Sequence, residues 1–451
     1  MVLFRHDDLA QVIVHTANMI EQDWRNMTQA VWLSPFLPRQ ASHLSKETSG
    51  LLPVIGTGSR FKRDFMAYLR YYGNRTTTLV SELEQYDFAA IRAALIAHVP
   101  AKFDGKETDP SAQLWGWPAL KRALQSMPSH TSSEEGPKTQ PAPHIICQVS
   151  SIASLSDKWI RETLFSTLLN TSSPSVNLFA KNSKATPPNH ARPRLSIIFP
   201  TPPEIRTCLD GYAAGASIHC KLQNANQRKQ FNFMKPHLCY WNAQRNTAAT
   251  ASNGSSVAAS PTEGGKALRG PAAPHIKTFI RFSDTATHKE IDWALLTSAN
   301  LSTQAWGIAA QSGSGEVRIS SYELGVLVWP NLFLDEETNR EEHGGGGKSN
   351  KKSRAKMVPT FGSDTPTEVQ IREAARKMPQ PVTEAARNGE QTEEHTGNEM
   401  AEEDEEEEEA VIIGLRMPYD LPLTPYGPDD EVWSARSPYA EPDIFGRVWN
   451  I

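Results

Sequence analysis

One ten-residue phrase occurs twice in this chain, and it constrains the fold more than any other feature. Residues 15–24 read HTANMIEQDW and residues 297–306 read TSANLSTQAW. When Asn18 is aligned with Asn300, an alanine, a glutamine and a tryptophan also match, and an apolar run precedes each copy. A repeat of this kind indicates two similar halves. Chance combined with a shared strand-to-loop pattern is the alternative.

The patterned segments elsewhere alternate between strands and helices. Apolar runs predict buried strands at 144–153, 194–199 and 323–330, and apolar stripes with helical spacing predict helices at 60–73 and 154–169. Strands that alternate with helices are typical of an α/β fold in which helices cover both faces of a sheet.

Two segments are predicted to be disordered inserts, because they can bury little apolar surface. Residues 246–270 are rich in Ala, Ser, Thr and Gly, and residues 337–410 contain GGGG, a basic patch and an acidic run. The acidic run, 402–409, holds eight acidic residues, so the net charge of −5 becomes +3 without it (−5 + 8). A mildly basic remainder permits an anionic partner. The basic patch at 348–356 is interpreted either as a nuclear-import signal or as a solvated loop.

The four cysteines form no CxxC pair; they are Cys147, Cys208, Cys220 and Cys239. This pattern predicts free thiols in a reducing compartment. Zinc binding through His219 and Cys220, or through His237 and Cys239, is an alternative whose spacing fits no standard zinc site. No apolar run reaches about 18 residues, so no transmembrane helix is predicted.

The second copy of the phrase has further polar residues ahead of it. His275 and Lys277 lie two positions apart in PHIKTFIRF, so a strand would present both side chains on one face. Asn300 ends the next predicted strand, and adjacent strands would bring all three side chains to one sheet edge. A histidine, a lysine and an asparagine together suit a phosphoryl group. The alternative is a surface strand with an incidental histidine and lysine.

HIKTFIRF followed by WALLTSANLSTQAWG resembles the phospholipase D superfamily and, within it, the tyrosyl-DNA phosphodiesterases. The segments VIVHTANMIEQDWRNMTQAVWLSP, QVSSIASLSDKW, DGYAAGASI, SYELGVLVWP and MPYDLPLTPYG are similar to the same family. The chain has Phe282 where the broad superfamily has an aspartate, and the tyrosyl-DNA branch also lacks that aspartate. It has Thr297-Ser298 where the superfamily has Gly-Ser. The insert at 337–410 interrupts the resemblance.

The resemblance implies two similar α-β-α sandwich halves related by a pseudo-twofold axis, with the active site on the seam. The first half would comprise residues 1–105, and the second residues 106–451 with both inserts. In this family a first-half histidine attacks a 3′-phosphodiester that links DNA to a tyrosine of topoisomerase I, forming a phosphohistidine. A second-half histidine protonates the leaving tyrosyl oxygen and then activates water. No metal or other cofactor is expected, since lysines and asparagines hold the phosphate.

The resemblance also implies roles for particular residues of the reacting centre. His275 matches the acid/base histidine of the second half. Lys277 and Asn300 match its phosphate-binding partners, and Asn18 matches the asparagine of the first half. These four residues are the predicted centre of the catalytic site.

Five further residues are predicted to surround that centre. Gln29 matches the glutamine that supports the acid/base histidine, and Glu323 matches the glutamate that orients the nucleophile. Ser302 matches a DNA-contacting serine, while Ser151 and Ser217 lie in segments that contact DNA phosphates. The alternative is that Ser217 only caps a turn and that Gln29 only satisfies a strand edge.

The first half lacks the matching histidine and lysine. Positions 282 residues before His275 and Lys277 fall ahead of Met1, and the first 110 residues contain no His-x-Lys. We therefore expect an N-terminally truncated chain with an incomplete first half, either a short gene model or a short isoform. Loss of the nucleophile would remove most of the covalent catalysis, so the competence of this chain is in question.

The predicted function is that of a tyrosyl-DNA phosphodiesterase, a DNA-repair hydrolase that acts in the nucleus as a monomer away from membranes. Its partners would be single- or double-stranded DNA 3′ ends and a topoisomerase I-derived peptide. One alternative is a non-catalytic protein or isoform that binds DNA ends through Lys277, Asn300 and the serines. A phosphodiesterase acting on lipid or on another nucleic-acid end is a further alternative, which Phe282 disfavours.

Overall fold

The structure, a computed structural model, describes residues 1–40, 52–128, 142–170, 193–241, 267, 271–309, 315–334, 354–375 and 410–450. The predicted insert at 246–270 lies outside these residues except for Ala267, which is buried.

The described residues form twenty strands. They are β1 Val2–Phe4, β2 Leu9–His15, β3 Met27–Thr28, β4 Val31–Leu33, β5 Leu37–Pro38, β6 Ala94–His98, β7 Ala101–Asp104, β8 His144–Gln148, β9 Ser151–Ile152, β10 Arg194–Ile198, β11 His219–Cys220, β12 Leu238–Cys239, β13 Ala273–Pro274, β14 Thr278–Phe282, β15 Ile291–Thr297, β16 Ile308–Ala309, β17 Glu316–Ile319, β18 Glu323–Val328, β19 Arg354–Thr360 and β20 Ala410–Arg416.

Nine α-helices are described as well. They are α1 Glu21–Arg25, α2 Gly58–Arg70, α3 Thr77–Leu83, α4 Gly116–Gln125, α5 Ser166–Leu169, α6 Pro202–Arg206, α7 Ala225–Met234, α8 Thr303–Trp306 and α9 Glu368–Ala375. Short 3₁₀ segments span Gly73–Thr76, Gly211–Ser217, Lys235–His237 and Pro330–Phe333, and a π-helix spans Trp159–Phe165.

A nine-stranded mixed sheet forms the centre of the molecule. Seven strands follow the order β12-β10-β8-β14-β15-β18-β6, with β19 and β20 added beside β15. A second sheet of four strands places β2 between β1 on one side and β4 and β5 on the other. The combination of these sheets with helices confirms the predicted α/β class.

Strand β6 joins the two sheets into one packed unit. Its residues Ala94 and Ile96 belong to the core around the large sheet, whereas Leu95 and Ala97 belong to the core under β2 and α2. Because side chains alternate along a strand, the two faces of β6 serve the two cores. The strand lies within residues 1–105 but pairs with β18, so hydrogen bonds cross the predicted boundary. The division into two halves at that position stays a prediction.

Helix α2 forms where the apolar stripe predicts a helix, but it starts earlier. Thr57 caps its first turn by accepting a hydrogen bond from the backbone N–H of Arg60, so the helix begins at Gly58 rather than at residue 60. Phe61 and Phe65 are buried along one face. The chain turns at Gly73, whose φ of +66° favours glycine.

The helix predicted at 154–169 is present with a different winding. Ser156 accepts a hydrogen bond from the N–H of Trp159, as an N-terminal cap would, but Trp159–Phe165 is a π-helix and only Ser166–Leu169 is regular. Apolar spacing alone does not distinguish a π-helix from an α-helix. The buried indole of Trp159 donates to the carbonyl of Gly307 at 3.0 Å, which fixes this segment against the second repeat loop.

The prediction that 337–410 is disordered is wrong for residues 354–375. Strand β19 pairs along its whole length with β20 and, at Met357, with Ile291 of the large sheet. Helix α9 follows it. Lys356, within the predicted nuclear-import patch, lies in β19 and forms a 3.0 Å ion pair with Glu290. The acidic run lies outside the described residues.

The C-terminal segment packs on the 3₁₀ segment Gly211–Ser217. The indole N–H of Trp433 donates to the carbonyl of Gly215 at 2.9 Å, and the rings of Trp433, Tyr212 and Tyr439 all contact one another. A Cβ added to Gly215 would lie 2.2 Å from the Trp433 ring, so this close approach requires glycine. The Gly211–Ser217 segment is therefore held in place from the far end of the chain.

Candidate active site

The two copies of the repeated phrase adopt the same local structure. Each follows a strand, β2 or β15, and each tryptophan indole donates to the carbonyl of the asparagine six residues earlier. The distance is 2.8 Å from Trp24 to Asn18 and 3.0 Å from Trp306 to Asn300. The predicted repeat is thus confirmed at the level of individual hydrogen bonds.

In each copy, a hydroxyl group at the matching position donates a hydrogen bond to a polar side chain outside the repeated phrase. Thr16 donates to Oε1 of Gln29 at 2.9 Å, and Ser298 donates to Oε2 of Glu323 at 2.6 Å. Gln29 and Glu323 therefore occupy corresponding places in the two halves.

Gln29 comes from the first half but lies beside the histidine of the second. Strand β3 pairs in parallel with β13, and the N–H of His275 donates to the carbonyl of Thr28 at 2.9 Å. This pairing places Oε1 of Gln29 3.4 Å from Nδ1 of His275. The seam between the two repeat units thus passes through the predicted site.

His275 and Lys277 meet as predicted, but they lie between β13 and β14 rather than within a strand. The Lys277 Nζ lies 3.0 Å from Nδ1 and 3.1 Å from Nε2 of His275, and it donates to the His275 carbonyl at 2.9 Å. The exposed fractions of the two residues are only 4% and 2%. A lysine so far removed from water is unusual without an anion to compensate it.

Burial sets the protonation behaviour of this pair. Burial and, second to it, the positive charge of Lys277 together lower the pKa of His275 from 6.5 to about 4. Burial also lowers the pKa of Lys277 from 10.5 to about 7, against the opposing effect of Asp23 and Glu323. Burial raises the pKa of the Glu323 carboxyl. A bound phosphate would reverse the first two effects, because an anion favours the charged forms of histidine and lysine.

Asn300 lies at the same end of the sheet, with its side chain oriented by the backbone. Its Oδ1 accepts hydrogen bonds from the N–H groups of Ser150 and Ser151 at 3.0 and 2.8 Å. The amide nitrogen is left as the donor available to a ligand. Among the described residues, no hydrogen bond joins Asn300 to His275 or Lys277.

The remaining predicted residues lie around this centre. Ser302 caps α8 by accepting a hydrogen bond from the N–H of Gln304, and Ser151 stands next to Asn300. Asn18 is exposed, with its N–H bound to Oδ2 of Asp23 at 2.7 Å. Ser217 is buried, and its hydroxyl donates an internal hydrogen bond to Oδ1 of Asp23 at 2.9 Å.

Asp23 is a member of the site that the sequence-based prediction missed. Its carboxylate is fully buried, and Oδ2 lies 3.3 Å from Nδ1 of His275. The repeat alignment contains a signal for it, because the position that matches Asp23 in the second copy is Ala305. A charged residue in one copy of the repeated phrase, with alanine in the other, indicates a role specific to one half.

A second His-x-Lys pair also borders the seam. His219 and Lys221 flank Cys220, and β11 places His219 in register with Ser151. The described residues contain no group of three or more His, Cys, Asp or Glu side chains that could hold a metal ion. In the same part of the chain, no helix is long and apolar enough to cross a membrane.

A cavity of about 330 Å³ opens on the first-half side. It is bounded by β2 and α2, with His15 and Ser298 at its polar end and Phe65, Leu69 and Tyr72 along its apolar walls. Through Ser298 it adjoins Glu323, the counterpart of Gln29.

Comparison with known proteins gives a consistent result. The family model described as tyrosyl-DNA phosphodiesterase matches residues 1–427. A probable tyrosyl-DNA phosphodiesterase of Schizosaccharomyces pombe is 28% identical over all of this chain, which spans 76% of that protein. Tyrosyl-DNA phosphodiesterase 1 of Arabidopsis thaliana is 28% identical over 97% of the chain, which spans only 59% of that protein.

The crystal structure of the yeast tyrosyl-DNA phosphodiesterase shares the fold. The TM-score is 0.55 at 18% identity, over 96% of this chain and 75% of the yeast chain. At this identity the likeness concerns the fold alone.

Proposed function

The chain belongs to the tyrosyl-DNA phosphodiesterase family of phosphoric diester hydrolases, and from this premise we propose that its site acts on the 3′-phosphodiester bond between DNA and a tyrosine of a topoisomerase I-derived peptide. The observation that carries the proposal is the buried His275–Lys277 pair on the seam, with Gln29 of the other half 3.4 Å from the histidine. Three residue types that suit phosphoryl transfer thus meet where the two halves join.

The phosphate would be held by Lys277 and by the free amide nitrogen of Asn300, with Asn18 on the opposite side of the seam. At pH 7 a buried lysine whose pKa is about 7 is only partly charged, and a bound anion favours its charged form. This arrangement favours a phosphodiester over a neutral ligand. DNA would be held mainly through its phosphates, so its affinity should fall with rising salt.

His275 is proposed as the general acid and base. In the first step a histidine nitrogen attacks phosphorus, the bond to the tyrosyl oxygen breaks, and His275 transfers its proton to that oxygen. In the second step His275 removes a proton from water, which attacks phosphorus and releases the histidine. The products are a DNA 3′-phosphate and a free tyrosine side chain.

The attacking histidine is proposed to be absent from the first 110 residues, since they contain no His-x-Lys. The second candidate function is therefore binding of the 3′-phosphotyrosyl end by residues 1–451 without turnover. This second candidate function, binding of DNA ends, follows from that one sequence observation.

The test uses a single-stranded oligonucleotide with a 3′-phosphotyrosine. Binding is measured by fluorescence anisotropy and hydrolysis by gel, with the yeast tyrosyl-DNA phosphodiesterase as the positive control. Lys277→Gln should weaken binding about 10- to 100-fold, as expected for loss of one charge-assisted hydrogen bond. His6→Gln, at an exposed histidine, serves as the matched control and should bind like the parent chain.

Two results would contradict these proposals. If Lys277→Gln and the parent chain bound the oligonucleotide equally well, Lys277 would not be part of the phosphate-binding site. Turnover by the parent chain would disprove the missing nucleophile, and His219 would then be the first histidine to replace.

We also propose nuclear location and a monomeric state. A substrate that joins topoisomerase I to DNA would be encountered in the nucleus. Imaging of a tagged chain tests the location, and light scattering tests the monomer.

A further inference from the structure

Both carboxylate oxygens of Asp23 have polar partners. Its Oδ1 accepts from the hydroxyl of Ser217 at 2.9 Å, and Oδ2 accepts from the backbone N–H of Asn18 at 2.7 Å. Oδ2 also lies 3.3 Å from Nδ1 of His275. The side chain comes from α1 of the first half, whereas its two side-chain partners come from later in the chain. A fully buried carboxylate requires such partners, because burial of an unpaired charge is strongly unfavourable.

The contacts of His275 define which ring nitrogen carries its proton. Nδ1 lies 3.3 Å from Oδ2 of Asp23 and 3.4 Å from Oε1 of Gln29, and Nζ of Lys277 lies 3.0 Å from Nδ1 and 3.1 Å from Nε2. The orientation of the Gln29 amide is fixed, since its Nε2 donates to the carbonyl of Asp23 and its Oε1 accepts from Thr16. The two oxygens at Nδ1 favour the neutral ring with hydrogen on Nδ1. Nε2 then accepts a hydrogen bond from Nζ of Lys277, and it is the nitrogen that exchanges a proton with a ligand.

The two halves place their carboxylates at different positions. Glu323 and Gln29 correspond to each other, and so do Ala305 and Asp23. Each half therefore contributes one carboxylate, the half-buried Glu323 or the fully buried Asp23. In the half-site of His275 the counterpart of Glu323 is the neutral amide of Gln29, and the carboxylate lies in α1 instead.

We propose that Asp23 is the anionic positioning residue of His275: it holds the ring in the Nδ1–H tautomer and stabilises the imidazolium that forms when Nε2 takes up a proton. The proposal deepens, and rests on, the acid/base role proposed for His275. Gln29 alone cannot supply the second part of this role, because a neutral amide does not compensate a positive charge.

The charged groups around His275 shift its pKa in opposite directions. Lys277 and His219 both lower the pKa of His275, whereas Asp23 raises it. Asp23 is thus the anion that opposes two cationic neighbours.

The test measures the tautomer directly at pH 7. The chain is labelled with ¹⁵N-histidine, two-bond ¹H–¹⁵N correlations are recorded, and the His275 signals are assigned by their loss in His275→Gln. We expect the Nδ1–H form in the parent chain. Asp23→Asn and Asp23→Ala should both shift it toward a mixture or toward Nε2–H. Gln29→Ala, the matched control, should keep Nδ1–H because the carboxylate remains.

A second readout separates positioning from simple loss of structure. Asp23→Asn should bind a 3′-phosphate oligonucleotide at least as tightly as the parent chain, since the substitution removes a negative charge near the phosphate site. Weaker binding would mean that Asp23 only maintains the loop, and it would overturn the proposal. Retention of Nδ1–H in both Asp23 variants would also overturn it. If the parent chain itself fails to bind the oligonucleotide, the proposed function fails, while the tautomer still decides the role of Asp23.

Discussion

At the scale of single residues, Lys277 shows how this site is built at the expense of stability. Its Nζ donates to the carbonyls of His275 and Thr16, yet the pKa still falls to about 7 through burial. The folded protein therefore holds the lysine in an environment that disfavours its charge. Asp23 and Glu323 offset part of this penalty, and an entering anion would offset more of it.

Lys277→Met should accordingly stabilise the protein at pH 7. The pKa of the lysine is about 7 when folded and near 10.5 when unfolded, so between these values the unfolded chain binds more protons and the stability of the parent rises with pH. The variant should gain about 1–3 kcal/mol in unfolding free energy at pH 7, because each pKa unit is worth about 1.4 kcal/mol and lost hydrogen bonds offset part of the gain.

Urea denaturation at pH 7 and pH 10 checks this prediction. The difference between variant and parent should shrink at the higher pH. Lys102→Met, at an exposed lysine of β7, is the control and should change the unfolding free energy by less than about 0.5 kcal/mol. A variant less stable than the parent at pH 7 would show that the lysine is not penalised by burial.

At the scale of elements, the two repeat loops share a hydrogen bond but differ in burial. Trp306 is fully buried and makes edge contacts with His98 and Phe279, whereas Trp24 is 54% exposed and contacts His15. The same motif therefore serves as a core element in one half and as a surface element in the other.

Alanine substitutions should separate these two situations. Trp306→Ala should lower the unfolding free energy by about 3–5 kcal/mol, as expected when a large buried side chain is removed. Trp24→Ala should lower it by about 1 kcal/mol, because much of that ring already contacts water. Urea titrations of both variants give the comparison. Equal losses would mean that Trp24 is covered in solution.

Many of the elements, and part of the candidate site, could be predicted from the sequence. The repeat predicted matching loops, and the His275–Lys277 spacing predicted a shared face, because both rest on local geometry. The composition around residues 354–375 predicts disorder, but their strand pairs with β20 and with Ile291, and these partners are not apparent from local sequence. Asp23 was missed for a similar reason: its partners Ser217 and His275 are distant in sequence, and no local pattern reports that they meet.

At the scale of the whole molecule, β6 couples the unfolding of the two hydrophobic cores. It packs on both cores and pairs with β18 through five registered residues from His98 to Ala94. The separation of either core from this strand would break the large sheet. The described parts of both halves should therefore unfold together.

Thermal unfolding should show a single transition. Far-UV circular dichroism, which reports both sheets, and tryptophan fluorescence, which reports mainly the large-sheet core, should give the same midpoint within error. Midpoints several degrees apart would show that the halves unfold independently and that β6 does not couple them.

The packing of the C-terminal segment on Gly211–Ser217 has a consequence for reading genetic data. Trp433 fixes Gly215, the same segment ends in Ser217, and Ser217 holds the carboxylate that faces His275. A screen for loss of function in this chain should therefore return variants at Trp433 and Tyr439. Such variants could be mistaken for losses of a nucleic-acid contact. Their expected effect is indirect, because they would displace Asp23 and so change the protonation of His275.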